Sequence, residues 1–192
     1  GAGYYAHGSR KFGHLPTSGS DFVTAPELSP LFGQTLAVQV QEALAHSGTD
    51  EVWEFGAGSG ALAEQLLGAL GEGVARYTIV DLSGALRERQ GERLAPFGDK
   101  VRWVSELPQR IEGVVVGNEV LDAMPVKLLH RVQGVWHERG VVRAGRDARG
   151  VVRAAEGELA WEDRPTDLRP PVDIGGPQDY LTEIHPQAEA FV

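Results

Sequence analysis

Glu51-Val-Trp-Glu-Phe-Gly-Ala-Gly-Ser-Gly60 is the stretch on which the fold of this chain turns. A short strand at 51–55 runs into three glycines at alternate positions. A helix over 61–70 follows, apolar at Leu62, Leu66 and Leu70, with Gly71 ending it. The run Tyr77–Leu82 is a second strand and carries Asp81 near its end. Strand, glycine turn, helix and a second strand closing on an acid describe a nucleotide-binding crevice. Glycines let backbone approach a ligand with no Cβ in the way, and the next helix offers unpaired N–H groups. The acid can accept hydrogen bonds from ribose hydroxyls.

Working outward, Val101–Val104 is a short third strand and Gly113–Gly117 a fourth, apolar on both faces as an interior parallel strand should be. A helix runs from Gln34 to Ser47-Gly48, and Ser83 caps another that reaches about Leu94. Alternating strands and helices with buried strands predict an α/β fold, a doubly wound Rossmann-like parallel sheet. Residues 1–33 read as an irregular lead-in, and 34–125 as the α/β core. After Pro125 the pattern changes. Leu128–Val132, Val135–Val142 and Val151–Ala155 are β-like runs, so 126–165 is expected to be an antiparallel insertion, with a proline-rich loop over 162–178. Residues 166–192 are expected to be loop and the start of a helix after Pro186. Four parallel strands and a hanging helix start make an unusual open sheet, so an incomplete fragment is expected.

The 192 residues suit one domain, and 42% hydrophobic with 23% charged residues is ordinary for a globular protein. There is no cysteine, hence no thiol nucleophile or thiolate metal site. His7, His14, His46, His130, His137 and His185 are scattered without metal-ligand spacing, so no metal is expected. A net charge of −9 argues against nucleic acid as a partner and suits a cationic one. No apolar stretch approaches the roughly 20 residues of a membrane span. The charge is uneven: residues 127–153 hold seven basic residues against Glu138 and Asp147. That basic hairpin is either a solvated surface or a docking face.

Two cofactor patterns fit the turn. Gly56, Gly58 and Ala61 with Asp81 satisfy the dinucleotide fingerprint. Glu54-Phe-Gly56-Ala-Gly58-Ser-Gly60 also satisfies acid-x-G-x-G-x-G, the pattern of S-adenosylmethionine-dependent methyltransferases. The acid discriminates. A carboxylate beside the turn would repel a pyrophosphate, but helps a ligand carrying an ammonium and a sulfonium, directly or through the turn it braces. Glu54 therefore favours S-adenosylmethionine over a nicotinamide or flavin dinucleotide. Downstream, Asn118, Glu119 and Asp122 follow the fourth strand, where the crevice of an open sheet lies. Asp122 would share their side if a helical turn begins there.

These segments in this order resemble the MidA-like methyltransferases, which include the mitochondrial complex I assembly-factor arginine methyltransferase. The likeness rests on Gly3-Tyr-Tyr5, Lys11-Phe-Gly13 and Ser20-Asp-Phe-Val-Thr-Ala-Pro-Glu-Leu-Ser-Pro-Leu-Phe-Gly33. It continues through Glu54–Ala63, Ile79-Val-Asp-Leu-Ser83, Gly117-Asn-Glu-Val-Leu-Asp-Ala-Met-Pro-Val126 and Tyr180-Leu-Thr-Glu-Ile184. The resemblance covers nearly the whole chain. It implies a seven-stranded methyltransferase sheet with a β-rich insertion, in members about twice this length. It also implies methyl transfer to a protein arginine. Asp21, Phe22 and Thr24 would form a lid over the cofactor, with Glu27 pointing into the crevice. Gly56, Gly58 and Gly60 would hold the methionine portion and Asp81 the ribose, with Leu82 and Asn118 also binding the cofactor. Glu106 and Leu107 would hold the adenine, on topology alone. Glu119 and Asp122, joined by Glu27, would orient the guanidinium. A small-molecule acceptor, or a non-catalytic assembly factor keeping the fold as a platform, are the alternatives. A homodimer is left open. The expected location is cytoplasmic in a bacterium and mitochondrial in a eukaryote.

Overall fold

The computed structural model describes residues 23–81, 84–143 and 158–191, in two compact units that divide between Val120 and Leu121. The first unit is the predicted α/β core. Strands β1 (Glu51–Phe55), β2 (Arg76–Val80), β3 (Val101–Val104) and β4 (Val114–Gly117) form a parallel sheet in the order β3-β2-β1-β4. Successive side chains of a strand alternate between faces. In register, Val52 lies beside Tyr77 and Val114, and Glu54 beside Ile79 and Val116. Val52, Tyr77, Ile79, Val101 and Val116 enter one core with Ala37, Val40 and Leu44 of helix α2 (Pro30–Ser47). Leu62, Leu66 and Leu67 of α3 (Ala61–Leu70) complete it.

The opposite face is partly polar. Trp53, Thr78 and Arg102 stand side by side across three strands. Arg102 donates to Thr78 Oγ1 at 2.7 Å, and its guanidinium carbon lies 5.2 Å from the Trp53 ring centroid.

Helix α2 begins four residues before the sequence pattern suggested, inside the supposed lead-in. The reason is local: Ser29 caps it, accepting from the Leu31 N–H at 3.2 Å, and Pro30 has the fixed φ that suits a first helical position. It stops at Gly48, whose φ of 68° is left-handed. One further turn of helix, α1 (Ala25–Leu28), precedes it, and α4 (Gly84–Leu94) follows β2. The expected Ser83 cap lies outside the described residues.

The second unit is an antiparallel sheet ordered β7-β6-β5-β8, with strands β5 (Lys127–Val132), β6 (Val135–Arg143), β7 (Leu159–Pro165) and β8 (Tyr180–Ile184). A short helix, α5 (Pro186–Phe191), follows. Gln133 and Gly134 both take positive φ, 48° and 83°, as a tight hairpin turn twisted to match its strands requires. The run Val151–Ala155 lies outside the described residues.

Strand β7 extends into the segment read as loop from residue 162, because Asp163 is tied to β6. Its carboxylate takes both Arg139 Nε and Nη2, at 2.7 and 2.8 Å. The segment 166–192 supplies β8 as well as loop and helix, and β8 pairs with β5. Leu129 and Ile184 are buried here. Arg131, only 6% exposed, donates to the carbonyls of Ile174, Gly175 and Gln178, which pins the proline-rich loop to the sheet. Among the described residues no helix is long and apolar enough to cross a membrane.

Candidate cofactor site

Strand β1 delivers its backbone into Gly56, Gly58 and Gly60, with φ of 64°, 56° and 83°. Three left-handed residues in five turn the chain at the carboxyl end of β1 and start α3 without a Cβ in the way. At Gly56 an added Cβ would lie 3.1 Å from Val120, so a side chain there would crowd the end of the sheet. The turn is closed by the Gly60 N–H bonding to Ala57 O at 2.8 Å.

Glu54 sits below this turn, 1% exposed, among the apolar side chains between sheet and helices. Tyr77 on the neighbouring strand donates to Glu54 Oε2 at 2.9 Å. Burial pushes the Glu54 carboxyl up to about 7; the Tyr77 hydrogen bond pulls it down and the charge of Asp81 adds to the rise. Burial, with the Glu54 charge and hydrogen bond behind it, pushes the Tyr77 hydroxyl well above its ordinary range.

Asp81 follows β2 at the carboxyl end of the sheet. Its Oδ2 accepts from Gln90 Nε2 at 2.9 Å, and its backbone carbonyl accepts from Arg87 Nε and Nη2 at 3.0 and 2.6 Å. Helix α4 thus returns over the end of β2 and fixes the acid by side chain and backbone. The same Gln90 Nε2 donates to Gly58 O at 2.9 Å, and Trp103 Nε1 of β3 donates to Gln90 Oε1 at 2.9 Å.

Glu27, on α1, is brought to the glycine turn. Ser59 Oγ donates to its carboxylate, and Arg93 Nη1 of α4 lies 3.2 Å from the same oxygen. Arg93 also reaches Ser59 Oγ at 2.7 Å and Glu64 at 3.3 Å. Glu27 is therefore turned to Ser59 and Arg93, with a side chain only 6% exposed. Thr24 is the extended residue that precedes α1, and its carbonyl accepts from the Glu27 N–H at 3.0 Å. Asp21, Phe22 and Leu82 lie outside the described residues.

Asn118 and Glu119 form the bend directly after β4, Asn118 half-buried and Glu119 exposed. Glu119 has a φ of 55°, one of two non-glycine residues with positive φ among those described. Such a conformation is disfavoured for a residue with a side chain and concentrates at functional sites. Asp122 belongs to the second unit, exposed in a turn closed by Met124 N–H to Leu121 O at 3.2 Å. No helix begins there, so the helical spacing expected of Asp122 does not apply. Glu106 and Leu107 line a groove beside Trp53 and Arg102, together with Thr49 and Glu51 from the start of β1. Among the described residues no group of three His, Asp or Glu is placed to hold a metal ion.

Sequence reasoning missed Gln65, Gln90 and Arg93. Gln90 and Arg93 sit in a polar stretch of helix, Arg87-Glu-Arg-Gln-Gly-Glu-Arg93, that looks wholly solvated. Their partners lie up to 66 residues away, so no spacing signal could have found them.

Against this geometry, residues 35–192 match the model of a family described as "Putative S-adenosyl-L-methionine-dependent methyltransferase". A protein arginine methyltransferase homologue of mitochondria from Caenorhabditis elegans is 30% identical over 162 residues, covering 71% of this chain and 38% of that protein. The mitochondrial protein arginine methyltransferase NDUFAF7 of Danio rerio is 27% identical over 153 residues, 63% of this chain and 36% of its own length. A crystal structure from Burkholderia thailandensis, bound to S-adenosyl-homocysteine, is similar with a TM-score of 0.79 and 48% identity. It covers 98% of this chain and 49% of that one. The chain thus spans about half the length of that structure and less of the mitochondrial relatives.

Proposed function

Since the chain belongs to this family of S-adenosylmethionine-dependent methyltransferases, we propose that it binds S-adenosylmethionine at the 56–60 turn and forms part of an enzyme that methylates arginine on a protein. The observation that carries the cofactor assignment is the turn itself. Three left-handed glycines open the backbone above a buried carboxyl, with a second acid, Asp81, held at the neighbouring strand end. Asp81 fits the cofactor, since a carboxylate at this strand end suits ribose hydroxyls. Gly56, Gly58 and Gly60 would admit the methionine portion, and Asn118 would close the crevice at the end of β4.

The cofactor supplies an electrophilic methyl group when bound. For the acceptor, this chain offers carboxylates. A guanidinium stays protonated in water, so acids must orient it and localise its charge toward one nitrogen. Glu119, with its positive φ at the end of β4, is the acid we assign to this role. Glu27 we assign to bracing the turn through Ser59 and Arg93, with Thr24 at the head of its helix. Two relatives bear the name protein arginine methyltransferase, which favours a protein arginine over a small-molecule acceptor.

The test is Glu119→Gln in the full-length protein, assayed by labelled methyl transfer into protein and by S-adenosylhomocysteine binding. The expected outcome is a fall in transfer of roughly 100-fold, in line with loss of one preorganised charged partner, with binding changed little. Unchanged transfer would contradict guanidinium steering by this residue.

A further inference from the structure

We infer that Gln90 is a positioning residue for the cofactor's ribose, acting through Asp81, and that Trp103 sets its orientation. The inference rests on the cofactor reading above. Gln90 is fully buried on α4, yet every polar atom of its side chain is engaged. Its two Nε2 hydrogens go to Gly58 O and Asp81 Oδ2, both at 2.9 Å, and its Oε1 accepts from Trp103 Nε1 at 2.9 Å.

The three partners leave no freedom in the amide. Gly58 O and the Asp81 carboxylate can only accept, and an indole N–H can only donate. The nitrogen must face the turn and the acid, and the oxygen must face β3. A glutamate would set a carboxylate against both acceptors, and a lysine or arginine would meet the indole with a donor. Glutamine alone satisfies all three. A Cβ added at Gly60 would lie 3.4 Å from Gln90 Cγ, so the side chain is also packed against the turn.

The consequence is that one buried amide ties together the glycine turn, the ribose acid and the third strand. Gln90 holds Asp81 Oδ2 at the end of β2, where the cofactor reading places the ribose. Without Gln90 the carboxylate loses this hydrogen bond, and the turn loses the donor to its central carbonyl. Preorganised acceptors bind more tightly because less ordering remains to be done on binding.

The test uses calorimetry on the full-length protein with S-adenosylhomocysteine and with an analogue whose ribose lacks both hydroxyls. Gln90→Met, which keeps the volume and removes the amide, is expected to weaken S-adenosylhomocysteine by roughly 10- to 100-fold, the range for loss of a hydrogen bond to a charged group. The dideoxy analogue is expected to weaken by less than about threefold, because the contact that Gln90 prepares is absent from it. Equal weakening of both ligands, or of neither, would overturn the inference by showing a purely structural role or none. Should Gln90→Met fail to fold, Trp103→Phe removes only the indole donor. It is expected to produce a smaller loss with the same dependence on ribose hydroxyls; a loss independent of them would overturn the inference. Failure of wild-type protein to bind S-adenosylhomocysteine would instead refute the cofactor reading itself.

Discussion

Glu54 shows how a single residue is placed between folding and binding. Its carboxyl titrates near 7 in the folded chain against an ordinary 4.5, because burial penalises the charged form more than Tyr77 favours it. The folded state therefore holds this proton more tightly than the unfolded state. The stability it contributes is full below pH 4.5 and is lost as pH rises through 7, by about 3 kcal/mol. Glu54→Gln cannot ionise. Urea unfolding of both proteins should show the wild type losing stability relative to the variant between pH 5 and pH 8, by roughly that 3 kcal/mol. A difference that stays constant with pH would show that Glu54 does not titrate in this window. The acid was legible in the sequence as a discriminator between cofactors. Its burial against Tyr77, a residue one strand away, was not, since strand register is invisible in a linear pattern.

At the scale of elements, helices α1, α2 and α3 are joined by one amide. Gln65 of α3 accepts from the Gly33 N–H at 2.9 Å and donates to Pro26 O at 2.7 Å. Gly33 is a glycine because a Cβ there would lie 2.4 Å from Gln65 Cβ, the rigid root of the side chain. Gly33→Ala is accordingly expected to destabilise by about 1–3 kcal/mol, the usual result of overpacking, although alanine has the better helix propensity. Thermal unfolding checks it, and a variant as stable as wild type would show that the α2–α3 contact is loose. The four parallel strands and α3 were readable because apolar runs, helical periodicity and glycine stops agreed. Strands β7 and β8 were harder. Leu159-Ala-Trp-Glu-Asp-Arg-Pro165 mixes acids and a proline, and is held as a strand by Asp163 meeting Arg139 across the sheet. Helix α1 lies inside the stretch that reads as an irregular lead-in; Pro26 is buried and Glu27 is drawn in by Arg93, contacts that join residues far apart in sequence.

For the whole molecule, two findings bear on function together. The parallel sheet carries the glycine turn and Asp81 at the carboxyl ends of neighbouring strands, the place where open α/β sheets bind ligands. Family membership and the likeness to a structure bound to S-adenosyl-homocysteine agree with that reading of the turn. The central claim is that the 56–60 turn serves S-adenosylmethionine and not a dinucleotide, and calorimetry on the full-length protein tests it most directly. The account predicts saturable one-to-one binding of S-adenosylmethionine or S-adenosylhomocysteine and no binding heat with NAD. Binding of NAD without binding of either S-adenosyl compound would contradict it.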